Sequence, residues 1–324
     1  MNHAIRVHEH GGPEKLVWEE VPLPDPKPGE VLVRHKAVGL NYIDVYHRSG
    51  IYPIDLPAGL GSEAAGVVEA VGEGVEGIAT GDRVATFGPS RGAYATARNV
   101  PADQLIALPN DLDDRDAAAL MLKGCTAECL IERCAKVRAG QTVLVWAAAG
   151  GVGHLMVGWL KAIGAIVIAV AGNEAKAAVA RDAGADHVIV HATEDVAARV
   201  GDITGGAGVP VVFDGIGMAT WRASLASASR RGLIVSYGNA GGPVQGIGLG
   251  ALAAHGSLFV TRPTLFDYYA SPDERRAGTE RLFAMLRAGA VAPRIGRSFA
   301  LEDAAEAHRE LERGATSGST VLIP

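Results

Sequence analysis

The feature that most constrains this chain is the stretch Val143–Gly153, in which an apolar run meets a cluster of glycines. The run Val143–Val145 is typical of a strand that is buried on both faces. Three of the last four residues of the stretch are glycine, and an apolar, helix-like run follows from Leu155 to Lys161. A strand, a glycine turn and a helix in this order predict the first half of a βαβ unit that binds a dinucleotide.

The glycines of such a turn have separate tasks. One permits the tight turn, one lets the backbone approach the pyrophosphate, and one lets the helix pack on its strand. We therefore expect Gly150, Gly151, Val152 and Gly153 to bind the pyrophosphate at the positive end of the helix. The order A-A-G-G-V-G departs from G-x-G-x-x-G, so an ordinary tight turn between strand and helix is the alternative.

A second apolar run, Ala165–Ala171, ends where the strand beside the ribose should stop, about 20 residues beyond the glycines. An NAD enzyme carries Asp or Glu at this point, whereas this chain has Gly172 and Asn173, followed by Lys176. We place Glu174 one step into the following helix. A small residue and a nearby cation favour the 2′-phosphate of NADP. The alternative for Lys176 is a solvated helix lysine.

Composition limits the class of protein. The chain has 324 residues, enough for two domains, and its 48% hydrophobic and 20% charged residues are typical of a soluble globular protein. A net charge of −6 and the lack of a basic cluster argue against a nucleic-acid surface or an anionic membrane. No apolar run reaches the ~18 residues of a spanning helix. The first residues lack the apolar core of a signal peptide, so we expect a cytoplasmic protein.

The three cysteines, Cys125, Cys129 and Cys134, are odd in number and close together, which is not a disulfide framework. Cys125 and Cys129 are four residues apart on a predicted helix, which is one way to pair two metal ligands. No fourth ligand lies at a fitting spacing. Buried structural thiols are the preferred interpretation.

The chain changes character near residue 115. Residues 1–122 contain short strands punctuated by Gly and Pro, which predict a small, irregular barrel. Beyond this point helices and strands alternate, which predicts a doubly wound parallel sheet. We expect two helical pieces before the glycine turn, 116–122 and 126–134, and later helices at 195–204 and 221–229. An amphipathic helix is predicted at 279–288, in a tail that we expect to return to the first domain.

Many separate motifs in the right order make the chain closely similar to the zinc-free quinone oxidoreductases, a group of the medium-chain dehydrogenase/reductase superfamily that includes zeta-crystallin. The motifs are Asn41–Asp44, Arg48–Gly50, Gly59–Gly66, Gly81–Val84, Lys123–Thr126, Ala147–Gly153, Val260–Pro263 and Gly318–Pro324. The resemblance implies a doubly wound Rossmann domain that binds NADPH, at residues 124–263. It also implies a mainly β, GroES-like catalytic domain at 1–123 and 264–324, with the cofactor in the cleft between the two.

Zinc-dependent relatives place a catalytic Cys near Asn41 and a His just before Glu63, and here those places hold Asn41 and Ser62. Three cysteines also cannot supply the four-Cys structural zinc loop of those relatives. We therefore expect no metal. Without a Lewis acid to polarise an alcohol, the favoured substrate is one that already accepts hydride, such as a quinone or a conjugated enal or enone.

The resemblance also implies which residues bind NADPH. His191 stands where relatives often have Tyr near the adenosine, and the alternative is a surface histidine at a strand end. Arg313 lies one place from a C-terminal Arg that relatives direct at the 2′-phosphate, with Gly314 at the matching position. The remaining implied cofactor contacts are Asn41, Asp44, Thr126, Tyr237, Asn239, Phe259 and Thr261. Cys129 departs from the Tyr that relatives carry three residues after the Thr.

Four residues are implied for the reaction itself. Tyr46 and Tyr52 match tyrosines that face the substrate pocket, where a phenol can hydrogen-bond a developing quinolate. Asn41 would hold the nicotinamide or the ring oxygen, and Arg262 would pin the cofactor loop. The alternatives are packing roles for the tyrosines, an Asx turn for Asn41 and an ion pair for Arg262. Asp44 and Glu63 have no zinc to serve, so we expect them to form hydrogen bonds.

Two other functions stay open on the sequence. An NADPH-dependent enal or enone reductase would use the same cofactor geometry with a different pocket. A cofactor-binding protein with an RNA-binding or structural role, as in some zeta-crystallin relatives, is the second, and the acidic net charge counts against it. The family resemblance also implies a homodimer in which the strand Leu258–Thr261 pairs with its symmetry mate.

Overall fold

The computed structural model describes all 324 residues, which form two compact units. The first, here called the mixed-sheet unit, comprises Met1–Lys123, Ser271–Thr279 and Pro293–Pro324. The second, the parallel-sheet unit, comprises Gly124–Ala270 and Glu280–Ala292. The first predicted domain boundary and the first boundary between the two units both fall after residue 123. Residues 264–270 and 280–292 were predicted to lie in the first domain, but they belong to the parallel-sheet unit. The functional domain boundaries stay a prediction.

The chain contains sixteen strands and ten α-helices. The strands are β1 (His3–Val7), β2 (Leu16–Glu20), β3 (Glu30–Leu40), β4 (Ala58–Gly59), β5 (Glu63–Val71), β6 (Arg83–Phe87), β7 (Ala97–Pro101), β8 (Leu105–Ala107), β9 (Thr142–Val145), β10 (Ile166–Ala171), β11 (His187–Val190), β12 (Val209–Asp214), β13 (Ala228–Ser236), β14 (Phe259–Thr261), β15 (Ile295–Ala300) and β16 (Ser319–Ile323). The helices are α1 (Tyr42–Ser49), α2 (Asp114–Glu128), α3 (Gly151–Ala162), α4 (Glu174–Asp182), α5 (Val196–Thr204), α6 (Trp221–Ser227), α7 (Gly250–Ala254), α8 (Leu265–Tyr268), α9 (Pro272–Arg287) and α10 (Ala304–Glu312).

The mixed-sheet unit holds a seven-stranded sheet in the order β15-β16-β3-β5-β6-β8, with β7 also paired to β3, and a three-stranded sheet in the order β2-β1-β4. Valines of β3, β5, β6 and β7 form one buried cluster, because branched side chains pack well on a pleated surface. Strand β16 pairs antiparallel with β3, where Thr320 lies opposite Leu40. The last part of the C-terminal tail, Pro293–Pro324, thus lies in the mixed-sheet unit, whereas Glu280–Ala292 belong to the parallel-sheet unit.

The parallel-sheet unit is built on six parallel strands in the order β11-β10-β9-β12-β13-β14. Strand β9 lies at the centre, and its residues Val143, Leu144 and Val145 are fully buried, as the apolar run predicts. The strand order reverses at β9, where β10 lies on one side and β12 on the other. In doubly wound sheets ligands bind at this switch point, beyond the carboxyl ends of the strands. The predicted fold class is confirmed.

Some element boundaries differ from the sequence prediction. The two helical pieces expected at 116–122 and 126–134 are one helix, α2, which continues as a π-helical segment, Cys129–Cys134. Helix α6 ends at Ser227 because Ala228 pairs with Val209 and begins β13. Helix α9 begins at Pro272, seven positions before the predicted start, since its first turn is polar and lacks the apolar period. No helix is both long enough and apolar enough to cross a bilayer.

Candidate active site

The glycine turn joins β9 to α3 as the sequence predicts. Gly150 is the N-cap of α3 in an extended conformation, and its N–H donates to Ala147 O at 2.9 Å. A Cβ at Gly153 would lie 2.2 Å from Ala147 O, so no larger residue fits without moving the helix. No side chain caps this helix end. The turn therefore leaves a narrow cradle of backbone N–H groups at a helix N-terminus, which suits a pyrophosphate.

The predicted ribose residues lie together at the carboxyl ends of β10 and β11. A Cβ at Gly172 would lie 3.4 Å from His191 Nε2, so the two residues are neighbours. Asn173 caps α4, and its side chain accepts the backbone N–H of Lys176 at 2.9 Å. The Glu174 carboxylate accepts a hydrogen bond from Arg181. No acidic residue ends β10, and burial lowers the pKa of Lys176. This arrangement fits a phosphate better than a ribose hydroxyl.

Arg262 fixes the loop that follows β13. Its Nη1 donates to Ser236 O at 3.0 Å and to Gly238 O at 2.9 Å. With the Asn239 amide oriented to satisfy both of its groups, its oxygen accepts from Arg262 Nη2 at 3.0 Å. Arg262 therefore hydrogen-bonds to the loop 236–239, and the prediction that this loop contacts the cofactor stays a prediction. The part of Arg262 in the reaction stays a prediction too.

Tyr237 lies beside the carboxyl end of β12. A Cβ at Gly215 would come within 2.7 Å of the Tyr237 ring, and a Cβ at Gly238 would lie 2.1 Å from Gly215 O. The loops after β12 and β13 therefore pack against each other through two positions that must be glycine. Their close approach fixes the Tyr237 ring at the edge of the sheet where a dinucleotide is expected.

The other predicted cofactor residues lie on β14, in α2 and at the end of α10. Phe259 is 62% exposed on the outermost strand, β14, and Thr261 is half-buried on the same strand. Thr126 is half-buried in α2. Arg313 is the exposed C-cap of α10, followed by Gly314 with φ +64°. Their cofactor contacts stay predictions.

In the mixed-sheet unit, Asn41 belongs to a buried polar cluster where β3 ends and α1 begins. Its Nδ2 donates to Glu63 Oε2 at 2.9 Å, and its backbone N–H donates to Asp44 Oδ2 at 2.9 Å. Glu63 also accepts from Lys123 Nζ at 3.1 Å and from the Leu122 N–H at 2.7 Å. The expected hydrogen-bonding roles of Asp44 and Glu63 are confirmed. Asn41 both caps α1 and holds a carboxylate.

A chain of hydrogen bonds continues from this cluster and fixes the proton positions. Arg48 Nη1 donates to His308 Nδ1 at 3.1 Å, so the neutral His308 ring carries its proton on Nε2. That proton points at the Tyr94 hydroxyl, 3.0 Å away, and the hydroxyl in turn donates to Asp44 Oδ2 at 3.0 Å. Arg48 is itself held by a bidentate pair with Glu312.

Asp44 is the terminus of this chain and is fully buried. Burial raises its pKa to about 7, although the hydrogen bonds from Asn41 and Tyr94 oppose the rise. Every hydrogen bond at Oδ2 is donated to that oxygen, and Oδ1 has no protein partner.

The two tyrosines predicted for catalysis form an aromatic group. The rings of Tyr46 and Tyr52 lie 5.1 Å apart, edge to face, and Tyr42 lies 6.1 Å from Tyr46. Tyr46 is 6% exposed and Tyr52 is half-buried. Packing is thus part of the role of Tyr46, and the hydrogen-bonding role of both hydroxyls stays a prediction.

Comparison with known proteins gives the same organisation. Residues 27–110 match the alcohol dehydrogenase GroES-like domain, and residues 151–269 match the zinc-binding dehydrogenase domain. A quinone oxidoreductase of Pseudomonas aeruginosa is 45% identical over 100% of both chains. The chain belongs to the quinone oxidoreductase family of medium-chain dehydrogenases/reductases. The resemblance inferred from its motifs is confirmed.

Two further relatives of this family member bear on its chemistry. The crystal structure of Escherichia coli quinone oxidoreductase complexed with NADPH has a TM-score of 0.97 and 43% identity, and the match covers 99% of this chain and 100% of that one. A 2-haloacrylate reductase of Burkholderia sp is 44% identical, over 99% of this chain and 98% of its own.

The donor groups of this quinone oxidoreductase family member do not form a metal site. No group of three or more His, Cys, Asp or Glu is placed to hold a metal ion. Cys125 and Cys129 are buried free thiols, and burial raises the pKa of Cys129 to about 12, so its thiol stays protonated. Ser62 is buried beside Glu63 and offers only a hydroxyl. The residues present do not fit a zinc ion, despite the name of the matching domain.

Sequence reasoning missed Asp214, which organises the loop after β12. It is fully buried, and its carboxylate accepts from the backbone N–H groups of Ile216 and Gly217 and from the hydroxyls of Thr220 and Ser224. An acidic residue at the end of a buried strand and before a glycine was the available signal. It indicates a loop anchor at the edge of the sheet where ligands bind.

Proposed function

We propose that this protein is an NADPH-dependent quinone reductase. The observation that carries the proposal is full-length similarity to quinone oxidoreductases, one of which is crystallised with NADPH. The ribose end of the parallel-sheet unit supports the same cofactor, since Gly172 replaces an acidic residue and Lys176 supplies a cation. The ribose end of the parallel-sheet unit thus suits the 2′-phosphate of NADPH, and the relatives of the chain are quinone oxidoreductases.

When bound, NADPH supplies a hydride from its nicotinamide ring. The N–H groups at the start of α3 would bind the pyrophosphate, and Lys176 and His191 would hold the 2′-phosphate. Arg262 hydrogen-bonds to the loop 236–239, and this loop would present Tyr237 and Asn239 to the nicotinamide half. These residues orient the reactants and need not supply a nucleophile.

Tyr46 and Tyr52 are proposed to hydrogen-bond the quinone oxygen that gains charge. If so, replacing both by Phe lowers kcat/KM about 10- to 100-fold, because two donors to the charged oxygen are lost while the aromatic packing is kept. The measurement is steady-state reduction of 1,4-benzoquinone. Tyr42→Phe is the matched control, since its hydroxyl bonds to Leu311 O and is not assigned to substrate. An unchanged kcat/KM in the double variant would remove both tyrosines from the mechanism.

A second candidate is an NADPH-dependent reductase of enals or enones. The 2-haloacrylate reductase relative favours it, since an acrylate carries a conjugated carbon–carbon double bond. The test compares the turnover of a naphthoquinone with that of a short enone at the same NADPH concentration. Faster naphthoquinone reduction supports the first proposal, and faster enone reduction replaces it with the second.

The protein is also proposed to be a homodimer. Strand β14 ends the parallel sheet, and its residues Phe259 and Val260 are 62% and 39% exposed. An exposed apolar strand at a sheet edge is prone to pair with another chain, and two-fold pairing of β14 would bury it. Size-exclusion chromatography should give about twice the 33.4 kDa chain mass. Elution at the monomer mass at low micromolar concentration would exclude the dimer.

A further inference from the structure

Lys123 is a buried cation with unused hydrogen-bonding capacity. The residue lies in α2 and is only 5% exposed. Its ammonium forms one hydrogen bond, to Glu63 Oε2 at 3.1 Å. An ammonium has three N–H donors, so two of them have no protein partner. Leaving buried donors of a charged group unpaired is costly, unless a ligand accepts from them.

The Glu63 carboxylate is saturated by contrast. One oxygen accepts from the Leu122 N–H, and the other accepts from both Asn41 Nδ2 and Lys123 Nζ. Glu63 is fully buried, so these bonds fix its position and that of the ammonium. The hydrogen bond to Glu63 therefore uses one N–H of Lys123. The other two N–H groups are not needed to neutralise Glu63.

The other ionisable groups near Lys123 do not cancel its charge. Asp44 is neutral below about pH 7 because burial raises its pKa to about 7, and the charge of Lys123 lowers that pKa without abolishing the rise. Tyr94 and His308 are neutral, since burial raises the pKa of the phenol and lowers that of the imidazole. Arg48 is neutralised by Glu312. Lys123 and Glu63 are thus the charged pair at the end of β3, and the ammonium faces one carboxylate only.

We propose that the Lys123 ammonium donates a hydrogen bond to the quinone oxygen that becomes negatively charged during reduction. This inference rests on the proposed quinone reductase function and adds a catalytic residue to it. Lys123 would act as a fixed positive charge in a buried site, where a donor aimed at developing charge has a large effect on the rate. No metal is needed for that role.

The reaction balances without any change of protonation at Lys123. The quinone gains a hydride, which is one proton and two electrons, as NADPH is oxidised to NADP⁺. The product is the hydroquinone monoanion, whose oxygen is paired with the Lys123 N–H. A proton from water completes the hydroquinone on release. Lys123 remains an ammonium throughout, held in place by Glu63 and, through that carboxylate, by Asn41.

The test removes the ammonium in two contexts. Lys123→Met deletes the charge and leaves Glu63 without its counter-ion, whereas Lys123→Met combined with Glu63→Gln deletes the pair. Both are compared with wild type for kcat on 1,4-benzoquinone, NADPH dissociation constant and thermal unfolding. Lys161→Met is the matched control, because Lys161 pairs with Asp186 on an exposed surface of the parallel-sheet unit.

A catalytic Lys123 predicts a kcat lowered ~100- to 1000-fold in both Lys123 variants, the loss expected for one donor to developing charge. The NADPH dissociation constant should change less than about twofold, and Lys161→Met should match wild type. A purely structural Lys123 predicts instead that Glu63→Gln alone lowers kcat as much as the double variant, because both lose the carboxylate that holds Asn41 and only the double variant lacks the ammonium. Equal kcat values in these two variants overturn the inference, even if Lys123→Met alone does not fold. Wild type that fails to reduce any quinone overturns the proposed function, and this inference with it.

Discussion

Lowering the pH from 7 to 5 will destabilise this protein, and two buried histidines will account for much of the loss. Burial, reinforced by the charge of Arg98, lowers the pKa of His35 to about 3. Burial and the neighbouring Arg48 lower the pKa of His308 to about 3. In the unfolded chain both imidazoles titrate near their ordinary pKa of about 6.5.

The free energy of unfolding falls as the pH falls because the unfolded chain binds more protons than the folded chain. Below about pH 6.5 the unfolded chain takes up protons on these histidines and the folded chain does not, so acid favours unfolding until the folded pKa is reached. Each histidine contributes a loss of about 2 kcal/mol between pH 7 and pH 5. His47, whose pKa burial lowers to about 4, adds to the loss. Asp44 opposes it by about 2 kcal/mol, since its raised pKa makes the folded chain bind a proton in this range.

The structure offers isosteric variants that isolate the histidine effect. His308→Gln keeps an acceptor toward Arg48 and a donor toward Tyr94, and His35→Asn keeps the donor to Ala95 O, which is 2.8 Å from His35 Nδ1. Between pH 7 and pH 5, the double variant should lose about 4 kcal/mol less free energy of unfolding than wild type. Urea denaturation at both pH values measures this difference. Equal losses in the two proteins would show that neither imidazole resists protonation when folded.

Placing a carboxylate at residue 172 will reverse the cofactor preference. Gly172→Asp introduces negative charge at the end of β10, where it repels the 2′-phosphate of NADPH and can accept hydrogen bonds from the ribose hydroxyls of NADH. The site accommodates the side chain, because the nearest atom to a Cβ is His191 Nε2 at 3.4 Å and the backbone is not left-handed. We expect NADPH affinity to fall ~100-fold or more, a cost of about 3 kcal/mol.

Gly172→Asn is the matched control for this substitution. It has the size of Asp without the charge, so it should weaken NADPH binding less than about tenfold and leave NADH binding weak. Fluorescence titration of both cofactors against wild type and the two variants gives the answer. Similar NADPH affinities in the Asp and Asn variants would mean that residue 172 does not lie beside the 2′-phosphate.

The elements that sequence patterns predicted best are those decided by local chemistry. Strand β9, the turn and the start of α3 were predicted from the run Val143–Val145 and the glycines after it. The prediction was possible because burial on both faces and the glycine turn each depend on residues that are adjacent in sequence. Asn173 and Glu174 marked the start of α4 for the same reason.

The buried polar contacts were not predictable in this way. Arg48 was recognised only as part of a motif, yet its guanidinium binds Glu312, which is 264 positions away. His308 and Tyr94 join the same chain from distant elements, and no local pattern shows such pairing. Lys123 likewise stood in a family motif, and only its contact with Glu63 shows that its ammonium is buried and partly unpaired.

The most direct test of the NADPH-dependent quinone reductase function has two steps. The protein is titrated with NADPH and with NADH, and the oxidation of the bound nicotinamide is then followed on mixing with 1,4-benzoquinone. We predict tighter binding of NADPH than of NADH, and rapid NADPH oxidation that depends on the quinone concentration. Tight NADPH binding without quinone-dependent oxidation would contradict the proposed reaction and leave the cofactor site intact. Preferred binding of NADH would contradict the role assigned to Gly172 and Lys176.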